Sequence, residues 1–290
     1  RAGRIGHSQE LSGPVTATGL GDQALTTYTY EDLVDAYRAL GVRKGALVYV
    51  TSDIGRLMAF AKPGKPAVLG AHLDALLHLL GDDGTLVVPT ASTNLCNTDI
   101  PFDLNKTPSH KVGVFSEYVR TLPGACRSFH PFVSYTALGP LAAEITQDVA
   151  RHAYGPETPE ARMIDRDALS VSIGLYPRYT CSTMHQVEVI MAVPYRYTKE
   201  YPHPVVRDGK TVIEPFYQYV WYKNADIERS FGKYVFEDFF KHNEIPSVNV
   251  GRGQIYSYSM AAFVKSAIQS FKRDPYIWCA HPPAIRPWRA

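Results

Sequence analysis

The sequence predicts an α/β fold, with strands and helices alternating along the chain. Three observations carry this. Ala46 to Val50 and Thr85 to Val88 are short, nearly continuous β-rich runs of the kind that suit strands covered on both faces. Between them Val68 to Leu80 repeats leucine at helical spacing, so the order is strand, helix, strand. With 45% hydrophobic and 20% charged residues, the 290-residue chain can bury a sizeable core and is neither disordered nor fibrous.

The elements follow in order. Residues 1–27 are rich in Gly, Ser and Thr, carry no apolar run long enough for a signal or membrane segment, and read as a flexible leader. Tyr30 to Leu40 places Leu33, Val34, Tyr37 and Leu40 on one helical face, and Gly41 ends that helix. The first strand closes in Thr51-Ser52-Asp53, a strand-then-polar-turn corner that commonly binds ligands. Gly81 to Gly84 turns the leucine helix into the second strand, and Pro89 to His110 reads as a long ordered loop over a site. Helices are expected over Val114 to Leu122 and Leu138 to Tyr154. Thr158-Pro159-Glu160 reads as N-cap, N1 proline and acidic first turn of another. Ala168 to Ile173 alternates like a strand, and Asp208-Gly209 marks a hairpin turn between Val205-Val206 and Thr211 to Ile213. A last helix spans Ser259 to Ser270. The expected organisation is one α/β domain over 28–290 after the leader.

Composition excludes several functions. Thirty Lys and Arg against 28 Asp and Glu leave a formal charge of +2, too balanced for a protein that lives on nucleic-acid phosphates. Cys96, Cys126, Cys181 and Cys279 form no CxxC pair, which argues against a redox dithiol or zinc knuckle and for reduced thiols in a cytoplasmic protein. His72 and His78 are spaced onto different helical faces, so no metal site is expected there.

Two stretches hold the chemistry. Thr107 to Pro131 is dense in polar donors, and Thr180 to Glu188 contains Thr183-x-x-Gln186, which fits a helix capping box. On such a helix His185 and Glu188 share one face, close enough for the carboxylate to orient the imidazole: a general-base pair in outline.

At these residues the chain resembles the antibiotic N-acetyltransferases that include the aminoglycoside 3-N-acetyltransferases. The resemblance begins at the Thr29 to Gly41 helix and runs through Val50-Thr-Ser52, Gly84 to Thr90, Pro101-Phe-Asp103 and Thr107-Pro-Ser109. It continues through Gly113, Glu117, Arg120, Pro123-Gly124, Arg127-Ser128, His130-Pro131, Ser134, Ala137 and Gly139 to Thr183, His185, Glu188 and Val250-Gly251. The order Arg-Ser-x-His-Pro-x-x-Ser, then His-x-x-Glu, is its specific part. It implies a mixed central sheet with flanking helices and acetyl transfer from acetyl-CoA to the amine of a sugar-like acceptor, in a fold unlike the GNAT acetyltransferases. Consistently, Gly251-Arg-Gly253 is only a lone GxG, better read as a tight turn than as a pyrophosphate loop.

The chemistry is consistent with this. An amine attacking a thioester must be neutral, and His185, oriented by Glu188, suits the base it requires. No metal is needed. His130 is a further catalytic candidate whose following proline gives it a plain loop-shaping rival. Ser134 lacks the Gly-x-Ser-x-Gly surroundings of a nucleophile. The phosphates of CoA would be met around Thr51, Ser52, Asp53, Ser109, Arg127 and Ser128. The partners expected are a small-molecule amine, with the aromatic-rich stretch about 195–250 on its side, and a second copy in a homodimer; neither nucleic acid nor membrane is expected. Two other readings are another acyl-CoA as donor, or a non-catalytic carbohydrate-binding protein whose 19 Tyr and 12 Phe line a stacking groove.

One departure from the family matters. Many relatives carry an acidic residue shortly before the motif histidine, where this chain has Tyr176-Pro-Arg-Tyr-Thr180. Together with Arg196 and Lys199, Arg178 then makes the surroundings basic, so a neutral or anionic amine is expected as acceptor in preference to a polycation.

Overall fold

In the computed structural model, which describes residues 27–230, 233–241 and 245–289, the buried apolar runs become the centre of a seven-stranded mixed sheet. The leader expected over 1–27 lies, but for its last residue, outside the described residues. In chain order the first elements are α1 (Tyr30–Ala39), β1 (Leu47–Ser52), α2 (Lys65–Leu80), β2 (Thr85–Pro89), α3 (Val114–Arg120), β3 (Cys126–Arg127) and β4 (Tyr135–Leu138). Then come α4 (Ala142–Thr146), α5 (Pro159–Asp165), β5 (Leu169–Ile173), α6 (Thr183–Ile190), β6 (Arg196–Arg207) and β7 (Lys210–Trp221). The chain closes with α7 (Lys233–Lys241), β8 (Ser247–Val250), β9 (Gly253–Ser259) and α8 (Met260–Arg273).

The sheet order is β3-β4-β2-β1-β5-β9-β8, and only β2, β1 and β5 run parallel. β1 lies between β2 and β5, so the connection to β2 leaves on one side and the chain later returns to β5 on the other. Such a switch point, at the carboxyl ends of parallel strands, is where open α/β sheets leave a crevice.

The side-chain pattern of β1 explains why it sits centrally. Val48 and Val50 pack on one face with Leu33, Tyr37, Leu73, Leu76 and Phe115 from α1, α2 and α3. Leu47 and Tyr49 pack on the other with Ile145 of α4, Met163 of α5 and Met260 of α8. Covered on both faces, each such side chain contributes about 1.5–3 kcal/mol by leaving water. His72 of α2 is buried too, paired with the hydroxyls of Tyr28 and Tyr37, a structural use of that histidine. The strands β6 and β7 form a separate twelve-pair hairpin turning at Asp208-Gly209, much longer than the short run read at that turn. No helix among the described residues is long and apolar enough to cross a membrane.

One expected helix is absent. Residues 138–154 were read as one helix, but β4 ends at Leu138, α4 is a single short helix, and the chain beyond it is irregular. The cause is local. Gly139 turns at φ +127, where a Cβ would collide with the Gly84 carbonyl, and Asp148 takes a left-handed φ of +48. Past that point the backbone pairs with β7 instead, Ala153 donating to the Tyr217 carbonyl and Tyr217 to that of Arg151.

Candidate active site

A cleft of about 670 Å³ opens at the carboxyl ends of β1, β2 and β5. Two glycines let loops close on its edge. Gly113 turns at φ +95 against the Ser52 carbonyl, and Gly174 at φ +73 against the Asp53 carbonyl; in both places a Cβ would overlap the oxygen. The loop after β2, expected to cover a site, supplies Pro89, Ala91 and Thr93 to the cleft wall, and Lys111 to Val114 follow.

His185 reaches this cleft from the first turn of α6. The capping box expected there does not form. Ser182, not Thr183, is the N-cap, and it makes no capping bond. Thr183 instead donates to Glu160 at 2.7 Å, and the Gln186 side chain accepts from the Gly155 N–H at 2.7 Å. The one-face spacing nevertheless holds, with His185 Nδ1 lying 2.8 Å from Glu188 Oε2.

Glu188 is fully buried, so its charge must be matched locally. Tyr195 donates its hydroxyl to Oε1 at 3.0 Å, and Arg196 approaches the same oxygen at 2.8 Å as an ion pair. Burial pushes the carboxyl up, but the bond and charge of His185 and then Arg196 outweigh it and hold Glu188 below its ordinary range. An ionised carboxylate can only accept. Nδ1 of His185 therefore carries a proton in that contact, and in the neutral ring Nε2 keeps its lone pair, on a side chain that lines the cleft and is 28% exposed. The Tyr154 ring packs on the imidazole at 5.1 Å between centroids.

A second buried carboxylate comes from the acidic first turn expected at Thr158-Pro159-Glu160. Glu160 accepts from Tyr135, from Ser182 at 3.1 Å and from Thr183 at 2.7 Å, and burial raises its carboxyl above the ordinary range. Tyr49 joins through a 3.2 Å contact with Ser182. This network fixes the start of α6 and so the base of His185. No pattern in the sequence distinguishes it from an acidic first turn.

The expected CoA residues divide. Thr51, Ser52 and Asp53 line the cleft. Thr51 donates to Ser172 at 3.3 Å and Asp53 pairs with Arg56 at 2.9 Å, while Ser52 Oγ is buried with no partner among the described residues. Ser109, Arg127 and Ser128 are not in the cleft wall. Ser109 gives both its N–H and its hydroxyl to Glu117 at 2.8 Å, tying the loop to α3. Arg127 spends its donors on Ser134 and on the carbonyls of Thr90, Leu104 and Thr107, a clamp inside the loop. Ser128 accepts from the Tyr135 N–H at 2.9 Å.

His130 is also placed away from the cleft. Its Nδ1 accepts from the N–H groups of Phe132 at 3.2 Å and Val133 at 3.0 Å, and burial pushes its pKa down to about 3. It shapes the loop, the role its proline suggested. Of the three basic residues expected around the pocket, Arg178 lines it, Arg196 is buried behind it on Glu188, and Lys199 stacks on Tyr201 outside it. Cys181 lines the cleft, and burial lifts its thiol to about 12, which favours the thiol over the nucleophilic thiolate. Among the described residues no cluster could hold a metal ion.

A buried carboxylate thus orients a histidine at the wall of a cleft lined by both polar and apolar groups. Comparison with known proteins gives the protein's class. Residues 51–272 match the family model for aminoglycoside 3-N-acetyltransferase. Aminoglycoside N(3)-acetyltransferase III of Pseudomonas aeruginosa is 27% identical over 263 residues, 83% of this chain and 93% of the relative. Among solved structures, AAC-VIa bound to sisomicin superimposes with a TM-score of 0.73 at 24% identity, over 86% of this chain and 98% of that one. A binary complex of AAC-IIIb with CoASH gives 0.72 at 21% identity, over 86% and 97%. The chain belongs to the aminoglycoside 3-N-acetyltransferase family and is by class an N-acetyltransferase.

Proposed function

We propose that the protein transfers an acetyl group from acetyl-CoA to the amine of an amino sugar or aminoglycoside-like acceptor, with His185 as general base and Glu188 as the partner that orients it. The observation that carries this is the Glu188 contact to Nδ1, which leaves Nε2 free at the cleft. The relatives named for aminoglycoside acetylation, and the neighbours solved with sisomicin and CoASH, support both halves of the reaction.

Acetyl-CoA supplies the acetyl group as a thioester. The orphan hydroxyl of Ser52, with Thr51 beside it, fits a polar co-substrate at the end of β1. At the other end His185 Nε2 takes the proton that the amine sheds as its nitrogen bonds to the acetyl carbon. The carbon–sulfur bond breaks in the same exchange and the sulfur departs as CoA thiolate, which needs little proton assistance. Glu188 stabilises the imidazolium that results, and the ring passes its proton to solvent.

The test is thiol release from acetyl-CoA with sisomicin, glucosamine and glucosamine 6-phosphate as acceptors. Turnover dependent on an acceptor is expected, with His185→Ala slower by about 10² or more. A variant with near wild-type turnover would remove His185 from the mechanism, and thiol release with no acetylated amine would remove amine transfer.

A further inference from the structure

Among the described residues the cleft wall carries more cations than carboxylates. Lys111, Arg178 and Arg229 face one carboxylate, Asp53, which Arg56 already pairs at 2.9 Å. Glu188 and Glu160 lie inside the walls with their oxygens taken by His185, Arg196 and Tyr195 and by three hydroxyls. A polycationic acceptor therefore meets no free carboxylate among the described cleft residues.

The unmatched donors gather at the His185 end. Arg229 sits on the Trp221 ring at 4.4 Å and makes no ion pair among the described residues. Arg196 also stacks on Trp221, at 5.1 Å, and it is the residue holding Glu188. Arg229 pairs across a β-bridge with Cys279, next to Trp278. Trp278 shares an apolar cluster with Cys181 and Met184 of the segment that presents His185. Trp278, only 6% exposed, and Arg178 both line the cleft, and the buried indole N–H of the one and Nε of the other have no hydrogen-bond partner among the described residues. Burial and then the neighbouring Arg196 charge disfavour the Arg229 cation more than the Glu188 charge behind the wall favours it, a cost that a ligand anion would offset.

Donors without acceptors, beside the base, select a ligand rich in acceptors. Resting on the acetyl-transfer reading, we infer that the acceptor is an amine that also carries a phosphate or carboxylate, and that Arg229, with Arg178 and the Trp278 indole, receives that anion while His185 receives the amine. The hydroxyl-lined end at Thr51 and Ser52, where Gly113 brings in the Lys111 segment, is left to the co-substrate.

Both CoA and the acceptor can bring phosphate, so the experiment separates them. Calorimetric titration of wild-type protein with glucosamine, glucosamine 6-phosphate and sisomicin, each with and without saturating CoA, reads the anion preference while CoA occupies its own site. The phosphorylated sugar is expected to bind about tenfold or more tighter than glucosamine in both conditions, as charge-assisted hydrogen bonds would give. That margin should collapse in Arg229→Gln, survive in Arg229→Lys, and shrink with added salt, while CoA affinity stays unchanged. Equal binding of the two sugars, or sisomicin binding tightest, overturns the inference. So does Arg229→Gln weakening CoA instead of the phosphate preference, which would assign the cation to the co-substrate. A protein that keeps the phosphate preference yet leaves acetyl-CoA intact would instead overturn the acetyl-transfer reading and leave the anion site at Arg229 standing.

Discussion

Glu188 is the residue on which the site turns, because it is buried, ionised and shared by three partners. Glu188→Gln removes the charge that Arg196 was folded around. Loss of about 3 kcal/mol or more is expected in urea unfolding, the scale of stranding one member of a buried pair. Ser52 is the opposite case. Its hydroxyl satisfies nothing in the fold, so Ser52→Ala should leave the unfolding midpoint unchanged and weaken CoA binding by about threefold to tenfold, one neutral hydrogen bond. An unchanged CoA affinity by calorimetry would take Ser52 out of the co-substrate site. At this scale the sequence was legible where spacing decides geometry. His185 and Glu188 meet because residues three apart on a helix must be neighbours, whatever caps that helix. It was illegible where distant segments supply the partner. Nothing local in Arg196 says that it faces Glu188 and not the solvent, and nothing in Thr158-Pro159-Glu160 says that Glu160 lies beneath Ser182 and Thr183.

At the level of elements, the loop ends around the cleft depend on glycines with no room to spare. Gly113→Ala would force a Cβ onto the Ser52 carbonyl at a backbone angle that alanine disfavours, and should cost on the order of 2 kcal/mol or more and disorder the cleft edge. Thermal unfolding checks this; a variant as stable as wild type would show that the loop is free to move away. The loop between β3 and β4 offers a pH test. His130 is held neutral, its pKa dropping from 6.5 to about 3 on folding. The unfolded chain therefore binds the extra proton first, and stability present above pH 6.5 is lost as pH falls toward 3. In His130→Asn the amide oxygen can still accept from Phe132 and Val133 but does not titrate. It is expected to be less stable at neutral pH and to show a flatter decline of the urea midpoint below pH 6.5. An unchanged slope would place the titrating group elsewhere. The elements themselves were read well where period was strong, as in α1, α2, β1, β2, β5 and α8. The reading failed between Leu138 and Tyr154, where apolar spacing suggested a helix but Gly139 and the pairing of that segment with β7 decided otherwise.

For the whole molecule, the α/β alternation and the polar corner after β1 were visible in the sequence, and together they place the cleft at the switch point between β1 and β5. Which of the polar motif residues enter that cleft was not visible. Arg127, Ser128 and His130 stand in the most specific motif, where Arg127 clamps the long loop after β2 and Ser128 and His130 tie the turn between β3 and β4; Ser109, outside that motif, ties the long loop to α3. Residues of one motif can thus hold the loops that frame a cleft without lining it. The account rests finally on one nitrogen. Ring-nitrogen NMR of His185 in its neutral form, assigned by comparison with His185→Gln, reads directly where the proton sits. The expected result is a protonated Nδ1 facing Glu188 and a bare Nε2, with the distinction lost in Glu188→Gln; a proton on Nε2 in the wild-type protein would contradict the base assignment and the mechanism built on it.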